Sequence, residues 1–190
     1  MSPEFDQALQ HGTSLGGARP KAQIDAGDKK YIAKFSSTTD LYSVVKAEFI
    51  AMRLAAQAGL DVARASLTSA LHKDVLLIER FDRVHTQAGW QRKIMLSALT
   101  MQVLDEMMAR YASYEELAEI IRHRFADASA TLRELYSRFV FNILSGNTDD
   151  HARNHAAFLG WRNTSVDPGL RYLSARADGS RSLSGHADCG

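Results

Sequence analysis

The sequence predicts an α+β protein, with a small strand-containing N-terminal lobe followed by an α-helical lobe. Three observations lead there. "KKYIAKF" (residues 29–35) and "DVLLIERFDR" (residues 74–83) read as strands, the first by alternation and the second by its β-rich apolar run. Between them "YSVVKAEFIAMRLAAQAGL" carries Val45, Phe49, Met52 and Ala56 at helical spacing. From Ser97 onward the apolar residues recur three and four apart, without a strand signal.

Taken in order, residues 1–30 are polar and glycine-bearing, and "GTSLGGARPKA" stands out within them. The first strand follows, and then the helix, for which Gly59 is the expected C-terminal stop because it tolerates the left-handed backbone that ends helices. The second strand opens into the charged run Glu79-Arg80-Phe81-Asp82-Arg83. "SALTMQVLDEMMARY", "YEELAEIIRHRF" and "TLRELYSRFVFNILSG" are then each expected to form a helix. The stretch after residue 158 breaks the pattern. "WRNTSVDPGLRYLSARADGSRSLSGHADCG" is rich in Arg, Ser, Gly and Asp and shows neither a helical stripe nor clear alternation, so it reads as irregular.

With 190 residues, 45% hydrophobic and 24% charged, the chain has the composition of a soluble globular protein of one domain or two small lobes. A net charge of +1 provides no electrostatic footprint for nucleic acid, so direct nucleic-acid binding is not expected. No apolar run approaches the roughly 20 residues that cross a bilayer, and the N-terminus, with Glu4 and Asp6, is unlike a secretory signal. The single cysteine, Cys189, excludes an internal disulfide framework. A cytoplasmic protein is expected, without membrane contact.

Four segments have chemistry to offer. In "SLGGARPK" (residues 14–21) the flexible backbone at Gly16 and Gly17 can turn N–H groups toward phosphate oxygens, with Arg19 and Lys21 adding charge; the plain alternative is a surface loop. Lys34, in the first strand, could reach a phosphate while Glu48 on the next helix holds it by an ion pair, or both could be ordinary surface charges. The strand ending at Glu79 could present backbone hydrogen bonds to an adenine edge with Phe81 against the ring, or be a charged sheet edge. "SGNTDDHARNH" (residues 145–155) is the densest. Asp149 could orient a hydroxyl and accept its proton, Asn154 could hold a divalent cation, and Arg153 or His151 could offset phosphate charge. Alternatively His151 and His155, with Asp149 or Asp150, have the spacing of zinc or manganese ligands and would make a metal-dependent hydrolase.

Together these segments closely resemble the HipA family of bacterial toxin–antitoxin serine/threonine kinases. "SLGGARPK", "YIAKF", "LLIERFDR" and "FNILSGNTDDHARNH" occur in that family's order and spacing, from about residue 14 to residue 158. The resemblance implies a protein-kinase-like fold using ATP and Mg2+. It implies Ser14 as the autophosphorylated residue, Lys34 as the phosphate-binding lysine, and Glu79 with Phe81 at the adenine. It also implies Asp149 as the catalytic aspartate, and His151 and Asn154 in nucleotide or metal contacts, Asn154 on the metal. The implied partner is a HipB-like helix-turn-helix antitoxin, and the implied substrate a protein such as an aminoacyl-tRNA synthetase. Residues 1–13 would be an N-terminal remnant, residues 14–158 an incomplete kinase domain, and residues 159–190 the irregular tail.

One family feature is missing. The second magnesium-binding aspartate, in a strand of the form L-[ST]-P-x-Y-D-[LI], has no counterpart as the chain is written. An impaired kinase, or a pseudokinase that binds nucleotide or antitoxin, is therefore expected. Apolar helix faces between residues 97 and 146 are expected to lie uncovered. The tail itself is compatible with a reading-frame slip. "SVDPGLRYL" can be encoded so that the bases read one nucleotide later give R-L-T-P-A-Y-D-I, which contains the missing motif.

Overall fold

A computed structural model of the chain describes residues 20–36, 40–70, 72–160 and the backbone of 170–175. Its first elements are β1 (Lys21–Asp25), β2 (Lys30–Phe35), α1 (Val44–Gln57), β3 (Ala65–Ala70) and β4 (Lys73–Glu79). A hairpin of β5 (Arg83–Thr86) and β6 (Gly89–Arg92) comes next, followed by β7 (Met95–Ser97) and α2 (Ala98–Met101). The chain continues through a 3-10 turn (Ala109–Tyr111), α3 (Tyr114–Arg124), α4 (Ala128–Ser145), β8 (His155–Leu159) and β9 (Leu170–Ala175).

The N-terminal sheet has the order β1-β2-β4-β3, and its strand pairs are antiparallel. Because side chains alternate across a strand, the register sorts them onto two faces. Ala22 opposes Ala33 and Phe35 opposes Val75, and these belong to one buried cluster with Ile24 and Ala70. The other face carries Leu76, opposite Lys34, and here α1 docks through Val45 and Met52. The expected stop at Gly59 is present: its φ is +86°, and Leu60 and Gly59 donate to the carbonyls of Ala55 and Ala56, closing the last turn. The second lobe has its own core of Ala98, Leu117, Ile121, Phe125, Leu135 and Ala157, contributed by α2, α3, α4 and β8.

Residues 97–111 depart from the expected helix. Only Ala98–Met101 is α-helical. Val103 adopts a left-handed φ of 57°, and Leu104 and Val103 donate to the carbonyls of Leu99 and Thr100, a helix stop usually built on glycine. The compensation is tertiary: the Gln102 carboxamide accepts from Ser113 N–H at 3.2 Å and donates to the Ser113 carbonyl at 3.4 Å. Apolar spacing alone cannot register that bond.

The tail reading also needs correction. Leu170–Ala175, taken as irregular, forms β9 and pairs antiparallel with β8, His155 facing Ala175 and Leu159 facing Leu170. The backbone pairing supplies what side-chain periodicity does not reveal. The rest of the tail, with Cys189, lies outside the described residues. The uncovered apolar face does occur: on α4, Tyr136, Ile143 and Leu144 are 68%, 61% and 81% exposed. Among the described residues no helix is long and apolar enough to cross a membrane.

Candidate active site

Lys34 sits in the middle of the sheet face that α1 covers. It is 2% exposed, Glu48 is 4% exposed, and the two form an ion pair. The sheet brings a second lysine alongside: Lys21 on β1 is directly opposite Lys34 and is also buried. Cross-strand partners share a face at close quarters, so two cationic stems line one wall beside the Glu48 carboxylate. Ser14, Gly16, Gly17 and Arg19 lie outside the described residues.

β4 leads into the segment between the lobes. Its last residue, Glu79, turns its carboxylate to Lys29 at 3.0 Å. The backbone N–H of Glu79 donates to the Arg64 carbonyl and that of Arg80 to the Lys30 carbonyl, each at 2.8 Å. Two of the backbone donors that the sequence offered to a ligand are therefore engaged within the protein. Phe81 comes next and meets Phe158 of β8 edge to face, ring centroids 5.8 Å apart, while the Lys93 ammonium lies 5.1 Å over the Phe158 ring. Asp82 anchors the segment. Arg80 grips both its oxygens at 2.8 and 2.6 Å, and Arg83 adds a further bond. Burial alone would raise the Asp82 carboxyl, but the Arg80 and Arg83 guanidinium groups hold it below the ordinary carboxylate value.

α4 ends at Gly146, whose left-handed φ of 66° turns the chain into the loop at residues 147–154. The loop is tied at several points. Asn147 N–H donates to the Asn142 carbonyl at 2.9 Å, Asp149 N–H to Asn147 Oδ1 at 3.1 Å, and Asn154 Nδ2 to the Asp149 carbonyl at 2.8 Å. With its nitrogen committed, the Asn154 side chain retains Oδ1 as an acceptor. The two adjacent aspartates differ sharply: the Asp149 side chain is 39% exposed and that of Asp150 13%. His151 Nε2 stands 3.9 Å from Asp149, and Arg153 pairs with Glu106.

Asp150 faces inward. It receives hydrogen bonds from Tyr114 Oη, from Asn142 Nδ2 at 2.8 Å and from His155 Nε2 at 2.7 Å. Burial would raise its carboxyl, but His155, Tyr114 and Asn142 hold it low; the same burial and the neighbouring carboxylate push the Tyr114 phenol up. The bond to Asp150 engages His155 at Nε2. Among the described residues no group of three or more His, Cys, Asp or Glu side chains is disposed to hold a metal. The hydrolase alternative thus finds no support in the geometry. Beside this cluster lies a recess of about 130 Å³ lined by Gln102, Tyr114, Asp150, His151 and His155 among others. Sequence reasoning did not single out Tyr114, Asn142, Lys93 or Phe158. Local signals existed for Asn142, which lies inside the run FNILSGNTDDHARNH, and for Phe158, which follows it closely.

Residues 13–168 match the HipA-like C-terminal domain family. Among curated proteins, the chain is 28% identical over 163 residues to a putative kinase of Haemophilus influenzae, covering 76% of this chain and 47% of that protein. It is 30% identical over 154 residues to the putative kinase Y4mE of Sinorhizobium fredii, covering 78% and 35%. It is 25% identical over 173 residues to the serine/threonine-protein kinase toxin HipA of Shewanella oneidensis, covering 77% and 39%. The chain thus spans less than half the length of these relatives. Among solved structures it is similar to Shewanella oneidensis HipA in complex with HipB and operator DNA, with a TM-score of 0.67 at 19% identity over 91% of this chain and 48% of that one. It is also similar to the Helicobacter pylori proinflammatory kinase CtkA, with a TM-score of 0.63 at 19% identity over 88% and 56%. The fold is protein-kinase-like, and the chain belongs to the HipA-like C-terminal domain family, whose named relatives are kinases.

Proposed function

We propose that this chain carries the site of an ATP-dependent serine/threonine protein kinase of toxin–antitoxin type. The observation that carries the reading is the division of labour between Asp149 and Asp150. The Asp149 side chain is 39% exposed, and its neighbour is locked inward by three donors. An accessible, positioned carboxylate is what a hydroxyl acceptor requires for orientation and proton removal. Lys34, held by Glu48, is the group for the nucleotide phosphates, with Lys21 beside it. The adenine would lie along residues 79–81 against Phe81. Since the N–H groups of Glu79 and Arg80 are engaged, its backbone donor is Phe81 or a later residue. Ser14, Gly16 and Gly17 would cover the phosphates, and His151 would contact nucleotide or metal.

The residues suit a hard cation modestly. Asn154 Oδ1 is one neutral oxygen, and Mg2+ commonly takes few protein ligands and completes its shell with phosphate oxygens and water. When bound, Mg2+ would offset charge on the transferred phosphoryl group. A specific observation favours a second reading, a pseudokinase. The strand paired with β8 reads L-R-Y-L-S-A and contains no carboxylate, so the second acidic ligand of the family's pattern is not there. By likeness to the Shewanella assembly, the proposed partner is a HipB-like antitoxin. An aminoacyl-tRNA synthetase is the proposed class of substrate.

The test is transfer from labelled ATP, with nucleotide affinity measured alongside. Asp149→Asn is expected to abolish transfer while leaving affinity within about twofold. Lys34→Ala is expected to weaken binding itself. Equal loss of binding in both would refute these roles, and binding without transfer in the unmodified chain would select the pseudokinase.

A further inference from the structure

The Asp150 cluster is more than a satisfied buried carboxylate. Its donors come from three separate elements: Tyr114 is the first residue of α3, Asn142 lies on the last turns of α4, and His155 is the first residue of β8. Tyr114 Oη also lies 3.3 Å from His155 Nε2, and its ring packs edge-on against His155 at 5.5 Å and Phe139 at 5.0 Å. The His155 Nδ1 atom is buried without a hydrogen-bond partner among the described residues. With Nε2 donating to Asp150, the arrangement suits the tautomer that leaves a lone pair on Nδ1.

Asn142 connects this cluster to the start of the loop, because its Oδ1 accepts from Asn147 Nδ2 at 3.1 Å while its Nδ2 holds Asp150. His155 connects it to the end, being the residue after Asn154. The loop's entrance, middle and exit therefore converge on one carboxylate. Asp149 and Asn154, the two groups given chemical roles above, flank it in sequence and are themselves joined by the Asn154–Asp149 bond.

We propose that Asp150, with Tyr114, Asn142 and His155, is a positioning network that fixes the backbone of residues 147–154 and so aims Asp149 and Asn154. None of the four is a catalytic residue. The inference rests on the kinase reading only for what the loop is used for; the fixing of the loop is separate and measurable by itself. Losing one buried bond to a carboxylate removes a share of that fixation comparable to a tenfold change in local opening. A loop displaced by about an ångström lowers the rate of a positioned reaction by up to roughly a hundredfold.

The experiment compares the full chain with Tyr114→Phe and Asp150→Asn. Amide hydrogen exchange is read at Asp149 and Asn154, with β2 and β4 as internal reference. Tyr114→Phe keeps the ring contacts and removes one hydroxyl, so it carries the test if Asp150→Asn loses protection throughout. The expected result is exchange about tenfold faster at the loop amides, an unchanged reference, and kcat for transfer lowered roughly ten- to a hundredfold with KM for ATP held within twofold. Loop protection unchanged in both variants would overturn the proposal, as would a KM that rises in step with the fall in kcat. Faster loop exchange in a chain that transfers no phosphoryl group at all supports the network and counts against the kinase reading.

Discussion

Replacing Lys34 should do two separable things. Lys34 and Glu48 have side chains only 3% and 5% exposed, so both charges are withdrawn from water. Lys34→Met removes the cation and leaves a buried carboxylate whose principal opposite charge is gone, which costs about 3–5 kcal/mol. For a chain of this length each kcal/mol lowers Tm by roughly 2–4 °C, so a fall of about 6–20 °C is expected. Glu48→Met should cost a similar amount for the converse reason, worsened by Lys21 on the same face. The double variant Lys34→Met/Glu48→Met removes both charges beside Leu76 and Val45 and leaves Lys21 as the cation of that face, so it should recover part of the loss, since paired apolar replacements of buried ion pairs are often neutral or better. Nucleotide binding should not recover with it. The assays are urea unfolding for stability and calorimetric titration with ATP for affinity. Two results would refute the reasoning: single variants that lose less than about 1 kcal/mol, or a double variant no more stable than either single.

Three further outcomes are expected. After incubation with ATP and magnesium, mass spectrometry should find phosphate on Ser14; modification confined to other serines would rule that assignment out. The Asp82 carboxyl is held low in the fold by Arg80 and Arg83 against the opposing effect of burial. Its contribution is therefore complete above the unfolded carboxyl value of about 3.9 and disappears as pH falls through the lower folded value. Asp82→Asn should accordingly lower the unfolding free energy read from urea titration at pH 7 by about 1–3 kcal/mol, and have far less effect near pH 2; equal effects at both would contradict the ion-pair account. Sequencing the encoding locus should show that the bases for residues 165–173, read one nucleotide later, specify a string of the form L-[ST]-P-x-Y-D-[LI], such as R-L-T-P-A-Y-D-I; a reading without that pattern disposes of the frame-slip explanation.

Local physics made much of this protein legible from its residues. The β2 alternation, the apolar stripe of α1 and the glycines that stop α1 and α4 are short-range signals, because side-chain direction and left-handed backbone are set within a few residues. For Lys34 and Glu48 the sequence left two readings, an ion pair or ordinary surface charges, and the structure closes the pair. The spacing to Asn154 and the family resemblance put Asp149 forward, but nothing in the string "DD" assigned Asp150 an inward role. What separates them is that Tyr114, Asn142 and His155, spread over 41 residues, converge on Asp150. The break at Val103 has the same origin, its compensation being a hydrogen bond from Gln102 to a backbone eleven residues away. β9 exists through pairing with β8 and not through its own pattern. In each of these cases the deciding contact is long-range, and its free energy appears only once the chain has already folded around it.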